Sequence, residues 1–425
     1  MKSNNSSPII TEDFQKAFDL LEYSNQNVFL TGKAGTGKST FLNCFRAKTS
    51  KEIAVIAPTG VAALNVSGQT IHSFLRLKPS FVDINSLKPN RSRLLKELQL
   101  LIIDEISMVR ADVFEGIDHS LRLARKNNDP FGGVQICVIG DLFQLPPVVS
   151  REEKAFYAQH YDSPFFFCTK AYELAEFTNL QFNTIHRQND SDFVGILNAI
   201  RAGECNDNDL QLLNNRVSPK ATPAVGTLVL TTTNALAEDI NNTKLQQLSG
   251  KSIAYEGEIS GDFAMKGNRL PALEDLQLKI GAQVMFVKND SEGRWVNGTI
   301  AVVRQLNCDN IMVTIGDDEH EVKAEKWKNI AYEFSEEQGK IIEKTLGSYT
   351  QFPLTLAWAI TIHKSQGKTL ERVIIDLGSG AFAAGQLYVA LSRCKSLAGI
   401  ALKQMINRSD IRCDEEVLAF MKKIT

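Results

Sequence analysis

Short, wholly apolar runs punctuate the first half of the chain, and segments of helical periodicity follow several of them. NVFL (27–30) runs into a glycine-rich loop and a helix predicted over 38–48. IAVIA (53–57) precedes a short helix from Val61, and LLIID (100–104) and ICVIG (136–140) are two more such runs, leading to Asp104 and Asp141. Strands without polar alternation are buried on both faces, which predicts a parallel sheet covered by helices. Ligands of such sheets lie beyond the carboxyl ends of the strands. The glycine loop, Asp104 with Glu105, and Asp141 all fall there.

The second half repeats this pattern with a strand at 228–230, a helix at 235–248 and a strand at 283–287. From 297 to 350 the texture changes to short β-like runs (TIAVVRQL, NIMVTIG, HEVKAE, NIAYEF, KIIEKTLG) separated by Asn, Asp and Gly. That pattern predicts a small antiparallel barrel inserted into an α/β unit. The α/β pattern resumes at Leu356, with strands at 373–376 and 400–402 and a closing helix from Ser409. The chain shows no internal repeat.

Composition narrows the class only slightly. The 425 residues suggest about three domains. The 47 basic and 49 acidic residues leave a net charge of −2, so nucleic-acid binding would need a local groove rather than a basic surface. Seven cysteines without metal-ligand spacing imply free thiols in a reduced compartment and argue against zinc. The N-terminus lacks the apolar core of a signal peptide, and no run reaches the roughly 18 apolar residues of a membrane span. The expectation is a soluble intracellular protein with no membrane partner, cytoplasmic and nucleoid-associated if bacterial.

GKAGTGKS (32–39) fits the phosphate-loop pattern G-x-x-x-x-G-K-[ST]. Gly32, Ala34, Gly35, Thr36 and Gly37 turn backbone N–H groups inward around phosphate oxygens, and the following helix, with Thr40 in its first turn, adds its positive end. Lys38 would reach the β and γ phosphates, and Ser39 would ligate Mg2+. Asp104 would hold the same ion through water while Glu105 orients or deprotonates the attacking water. The cofactors expected are therefore ATP and Mg2+. Gln144, in GDLFQLPPV, is placed to sense the γ-phosphate, and Arg187 (IHRQ) and Arg393 (ALSRC) are candidate arginine fingers. Taken singly, each arginine reads as a surface salt-bridge partner, and the finger role gains weight only from the surrounding motifs counted together.

The ordered set TGKAGTGKST, APTGVAA with QTIHSF, LIIDE, GDLFQLPPV, IHRQ, AITIHKSQGKTL and QLYVALSRC resembles a superfamily-one helicase. LRLARKNNDPFGGVQICVIGD (121–141) resembles the signature segment of the petite integration frequency (PIF) DNA helicases. The resemblance covers residue 15 to about 400 and looks like the family's core without an accessory N-terminal domain. It implies an α/β fold of two tandem RecA-like P-loop domains with ATP in the cleft between them. The expected division is 1–180 for the first domain, 181–298 with 351–425 for the second, and 299–350 for an inserted SH3-like β domain.

By the same resemblance, Gln15 would read adenine, Gly367 and Lys368 would approach the cleft, and Arg187 and Arg393 would enter it from the second domain. Single-stranded DNA would cross Pro58, Thr59, Gly60, His72, Ser73 and Phe74 on the first domain, and Thr232, His363, Lys364 and Ser365 on the second. Backbone amides, hydroxyls and a lysine can grip phosphates without reading sequence. Phe74 could stack on a base or pack in the core, and His72 and His363 could be buried, hydrogen-bonded residues. Segment 78–93 could split the duplex or be a surface loop.

The implied activity is ATP-driven translocation 5′ to 3′ on single-stranded DNA. The implied partners are 5′-tailed duplexes, with G-quadruplexes and RNA–DNA hybrids as further substrates. A monomer is expected, able to pair as a dimer on DNA. Two rivals stay open. A RecD-like recombination motor would share the motifs, and a non-translocating ATPase switch would need only the P-loop and acidic pair. A GTP switch is disfavoured by the absence of an N-K-x-D segment.

Overall fold

The computed structural model describes residues 11–424 apart from 79, 91, 151, 186, 189, 222–225 and 264–269. The polar stretch 1–10 and His186 of the IHRQ motif lie outside the described residues. A six-stranded sheet, parallel throughout, runs in the order Gln69–Thr70, Ile53–Ala57, Leu100–Ile103, Gln135–Gly140, Val28–Gly32 and Thr178–Phe182. Its four inner strands are mostly apolar without alternation because both faces are covered, whereas the edge strands Gln69–Thr70 and Thr178–Phe182 carry polar residues. Phe29, Ile103, Ile136 and Val138 pack on one side with Phe114 and Ile117. Leu30, Ile102, Cys137 and Ile139 pack on the other with Leu21, Phe41 and Phe45.

Register positions the site. Thr31 pairs with Gly140, Ile103 with Val138 and Gly32 with Phe182. The glycine loop, Asp104, Asp141 and the segment after Phe182 therefore leave the sheet from one end. A second parallel sheet orders Ala359–Thr361, Leu228–Thr231, Val373–Asp376 and Ile400–Leu402. Thr232 directly follows one strand of this sheet, and His363 comes two residues after the end of its neighbour.

Antiparallel pairing reaches beyond the 299–350 stretch. One sheet runs Asp318–Val322, Ile311–Ile315, Ile300–Leu306, Gln283–Phe286, Leu354–Leu356. Gln283–Phe286 therefore pairs antiparallel with Ile300–Leu306 rather than joining the α/β sheet. Another sheet consists of the long hairpin Glu325–Ser335 and Lys340–Gln351 with Glu258–Gly261 at its edge, and Ile253–Glu256 pairs with Asp275–Leu278. The closing helix also differs from expectation. Ser409 lies in a 3-10 turn, Arg408–Asp410, held by the Asn407–Asp410 capping box, and the helix proper is Glu415–Ile424.

The hairpin crosses to the first sheet. Strand Gln69–Thr70 covers its neighbour only at Ile56 and Ala57, leaving Val55 N–H unpaired on that edge. Tyr332 Oη accepts from Val55 N (3.3 Å), Gln69 Oε1 accepts from Tyr332 N (3.3 Å), and Glu343 pairs with Arg46 (2.8 Å). The hairpin thereby closes a sheet edge that would otherwise present free backbone groups. Within segment 78–93, Phe81 and Val82 are held to the first domain's body. Asp112 accepts from Val82 N (2.9 Å), and Phe81 sits among Phe156, Tyr157, His160 and Tyr161. Among the described residues no helix is long and apolar enough to cross a membrane.

Candidate nucleotide site and nucleic-acid face

A cavity of about 530 Å³ opens at the carboxyl end of the first sheet. Ala34 to Thr40, Asp104, Glu105, Asp141 and Gln144 line it from the first sheet's strand ends, and Arg187, Gly367 and Arg393 from later in the chain. The helix Lys38–Lys48 starts on Gly37 at φ 87°, a left-handed conformation that glycine adopts without strain. Gly35 is also left-handed at φ 83°, and a Cβ there would meet Arg187 Cβ at 2.5 Å, so the loop packs directly on the arginine segment.

Charge is concentrated around this cavity. Lys38 Nζ donates to Gly32 O (2.6 Å) and Lys33 O (3.0 Å), and burial lowers its pKa against the pull of Asp141, Glu105 and Asp104. Burial raises both carboxyls of the acidic pair. Glu105 adds to the rise at Asp104, while Lys38 and Arg393 oppose it at Glu105. Glu105 also holds a left-handed backbone at φ 52°, a strained setting for a non-glycine residue that recurs at active sites. Arg393 is 1% exposed, and burial, then the neighbouring Arg187, pull its pKa down to about 9. It donates from Nε to Val389 O (3.0 Å) and from NH2 to Ser392 Oγ (2.9 Å), while Arg187 NH1 donates to Ser392 O (3.2 Å). Arg187 thus works against the charge of Arg393 across one cavity, a repulsion that an anion between the two guanidiniums would relieve.

Ser39 and Asp104 offer a hydroxyl and a carboxylate to the same cavity, hard oxygen donors that suit Mg2+. Two residues expected here point elsewhere. Gln15 bonds Asp19 (2.8 Å) on the exposed face of helix Glu12–Tyr23, and its neighbours Thr11, Asp13 and Phe14 line the cavity instead. Lys368 turns away to Asn297 Oδ1 and is largely buried there, while Gly367 and Thr369 face the cavity. Sequence reading also missed two residues. Arg201 NH2 bonds Asp141 Oδ1 (3.1 Å) and Tyr388 Oη bonds Asp141 Oδ2 (3.2 Å).

The expected nucleic-acid residues divide by exposure. Thr59 is exposed and caps helix Gly60–Asn65 by accepting from Ala62 N (3.2 Å), with Pro58 half-buried beside it. Ser73 accepts from Gln69 Nε2 (2.8 Å). His72 and His363 are partly buried, and burial lowers both pKa values. Lys364 is exposed. Three residues turn inward in this structure. Phe74 is 5% exposed and packs edge-on against Tyr332 (6.1 Å), which places it in the core rather than on a stacking surface. Ser365 donates its hydroxyl to Ile362 O (2.6 Å), and Thr232 donates to Leu377 O (3.2 Å).

The PIF1-like helicase family model matches residues 9–211. The chain is 34% identical over 418 residues to an ATP-dependent DNA helicase Pif1 of Bdellovibrio bacteriovorus, covering 96% of this chain and 90% of that one. It is 35% identical to the Danio rerio ATP-dependent DNA helicase PIF1, covering 94% of this chain and 62% of the zebrafish protein. Among solved structures, a Bacteroides Pif1 in complex with ADP-AlF4 overlays with a TM-score of 0.90 at 36% identity, covering 98% of this chain and 97% of that one. Bacteroides Pif1 bound to ssDNA overlays with a TM-score of 0.71 at 37% identity, covering 98% and 96%. The α/β architecture expected from the strand pattern is the one these structures share.

Proposed function

The chain belongs to the PIF1-like helicases, which are ATP-hydrolysing DNA helicases, and we propose that it translocates 5′ to 3′ on single-stranded DNA and unwinds 5′-tailed duplexes. G-quadruplexes and RNA–DNA hybrids are further substrates of this reading. The observation that carries it is the cavity in which the P-loop and acidic pair of one parallel sheet meet Arg187 and Arg393. Arg187 pulls down the pKa of Arg393, and a triphosphate bound between them would relieve that repulsion. Residues 1–180 and 181–298 with 351–425 then act as two RecA-like units, with 299–350 as the centre of an SH3-like insertion that the antiparallel pairing extends on both sides. The protein works inside the cell, in the cytoplasm if bacterial.

The residues divide the chemistry as follows. Backbone amides of the P-loop and Lys38 hold the β and γ phosphates. Ser39 and Asp104 hold Mg2+, which neutralises charge on the phosphate oxygens. Glu105, made more basic by burial, takes a proton from the attacking water, and Gln144 orients that water against the γ-phosphate. Arg187 and Arg393 stabilise the charge that develops on the transferred group. Because the arginines lie on later elements than the P-loop, losing the γ-phosphate loosens the cleft and moves the two sheets relative to one another. In this reading Thr59, Ser73, His363 and Lys364 hold the strand during that motion.

Bacteroides Pif1 overlays with a TM-score of 0.90 in complex with ADP-AlF4, at 36% identity, and of 0.71 bound to ssDNA, at 37%. We read the arrangement seen here, with the hairpin on the edge of the first sheet, as the DNA-free state. Two measurements test the function. ATP turnover should rise at least about tenfold on adding single-stranded DNA, as expected of a motor whose cleft closes on its track. Duplexes should open from 5′ tails. Turnover indifferent to DNA would sink the motor, and opening only from 3′ tails would reverse the polarity.

A further inference from the structure

Tyr388 lies in helix Gln386–Ser392, the helix that ends at Arg393. It is 3% exposed, and the only polar atom of its side chain is the hydroxyl. That hydroxyl has two partners from the other half of the site. It accepts from Ala34 N in the P-loop (3.2 Å) and donates to Asp141 Oδ2 (3.2 Å). Asp141 Oδ2 is also the acceptor for Gln144 Nε2 (3.4 Å), and its other oxygen takes Arg201 NH2 (3.1 Å). Arg201 in turn lies over the Phe143 ring at 4.0 Å.

The helix start reinforces this contact. Gly385 sits at φ 71°, and a Cβ there would collide with the carbonyls of Phe143 and Gln144. Backbone of the arginine helix therefore touches backbone of the turn that carries Gln144. Burial alone would raise the Asp141 pKa, but Arg201 and Lys38 outweigh it and keep the carboxylate ionised. An ionised acceptor strengthens the hydrogen bond from the tyrosine.

We propose that Tyr388 is a positioning residue for hydrolysis: its hydroxyl joins the P-loop backbone to Asp141 and so sets the helix that presents Arg393 against the phosphate. This rests on reading the cavity as the ATP site. Neither Tyr388 nor Arg201 need touch the nucleotide. Arg201 fixes one carboxylate oxygen, Tyr388 and Gln144 share the other, and a shift of Gln144 on phosphate contact is transmitted to the arginine helix through that shared atom. A buried tyrosine hydroxyl needs such partners to offset its desolvation.

The test is steady-state ATP hydrolysis at saturating single-stranded DNA for wild type, Tyr388→Phe, Arg201→Lys and the double variant, with thermal midpoints alongside. Tyr388→Phe keeps the ring and removes one atom. It should lower kcat about tenfold, the loss of roughly one hydrogen bond's positioning, with KM for ATP changed less than about twofold. Arg201→Lys should lower kcat similarly. The double variant should lose no more than the worse single, because both act through Asp141. A Tyr388→Phe kcat within twofold of wild type would overturn the proposal, as would a change in KM alone or fully additive losses. Wild type that hydrolyses no ATP would instead overturn the reading of the cavity, and the relay with it.

Discussion

At the scale of single residues, the acidic pair shows function held against stability. Asp104 has its pKa raised in the folded chain, first by burial and then by Glu105. A carboxyl with a raised folded pKa stabilises the fold fully below its unfolded pKa, near 3.9, and loses that contribution as pH rises through the folded value. Asp104→Asn removes the ionisation. Without nucleotide or metal, the variant should therefore gain thermal stability over wild type at pH 8, by about 1 kcal/mol or more, and gain little at pH 4. Its ATP turnover should collapse. Scanning unfolding at the two pH values checks this, and an equal shift at both would mean that the charge of Asp104 carries no penalty. Arg393 is the cationic counterpart, held in the cavity by Val389 O and Ser392 Oγ rather than by an acid.

At the scale of elements, the hairpin Glu325–Ser335 with Lys340–Gln351 is the piece whose contacts would have to break if the DNA-free arrangement gives way. Tyr332 is its anchor, 9% exposed, bonded to Val55 and packed on Phe74. Tyr332→Ala should weaken the docked state, lowering the thermal midpoint of the free chain and tightening single-stranded DNA binding by about fivefold through the shifted population. Fluorescence anisotropy with a labelled oligonucleotide reads this directly, and unchanged or weaker binding would show that docking does not compete with DNA. The inner parallel strands were legible in the sequence because burial on both faces writes an unbroken apolar run, whereas Gln69–Thr70 and Thr178–Phe182, at the sheet's edges and partly polar, were not. The P-loop was legible because Gly35 and Gly37 need left-handed backbone. The hairpin's docking was not, since Tyr332 stands in a strand of ordinary alternation and its partner is an unpaired amide at Val55. Nor was the reach of antiparallel pairing back to Ile253–Glu256, a mostly exposed strand with little apolar pattern. Arg201 carried no signal beyond a charge near a helix end. Tyr388 did carry one, a lone hydroxyl in the run LYVAL. On the nucleic-acid face, residue types suited to phosphate were visible, but whether Ser365 and Thr232 spend their hydroxyls on Ile362 O and Leu377 O depends on local turns that sequence does not specify.

At the scale of the whole molecule, a net charge of −2 shapes how DNA is held. A motor must release its track at every step, and a basic surface would add non-specific counterion-driven affinity that resists release. In the proposed reading the grip comes from strand ends and short helix starts, where hydroxyls, amides and Lys364 would meet the backbone. Hydrogen bonds from neutral groups displace no counterions, so affinity should depend only weakly on salt. For single strands each neutralised phosphate contributes about −0.7 to the slope of log K against log salt. A handful of cationic contacts predicts a slope of about −1 to −3, far shallower than a protein that coats DNA. Lys364→Ala should reduce the slope's magnitude by about 0.7 while leaving ATP binding without DNA unchanged, since its exposed side chain is not among those lining the nucleotide cavity. A salt titration of oligonucleotide binding with both proteins decides it. A steep slope would place a basic groove elsewhere, and a slope unchanged in Lys364→Ala would remove that lysine from the track.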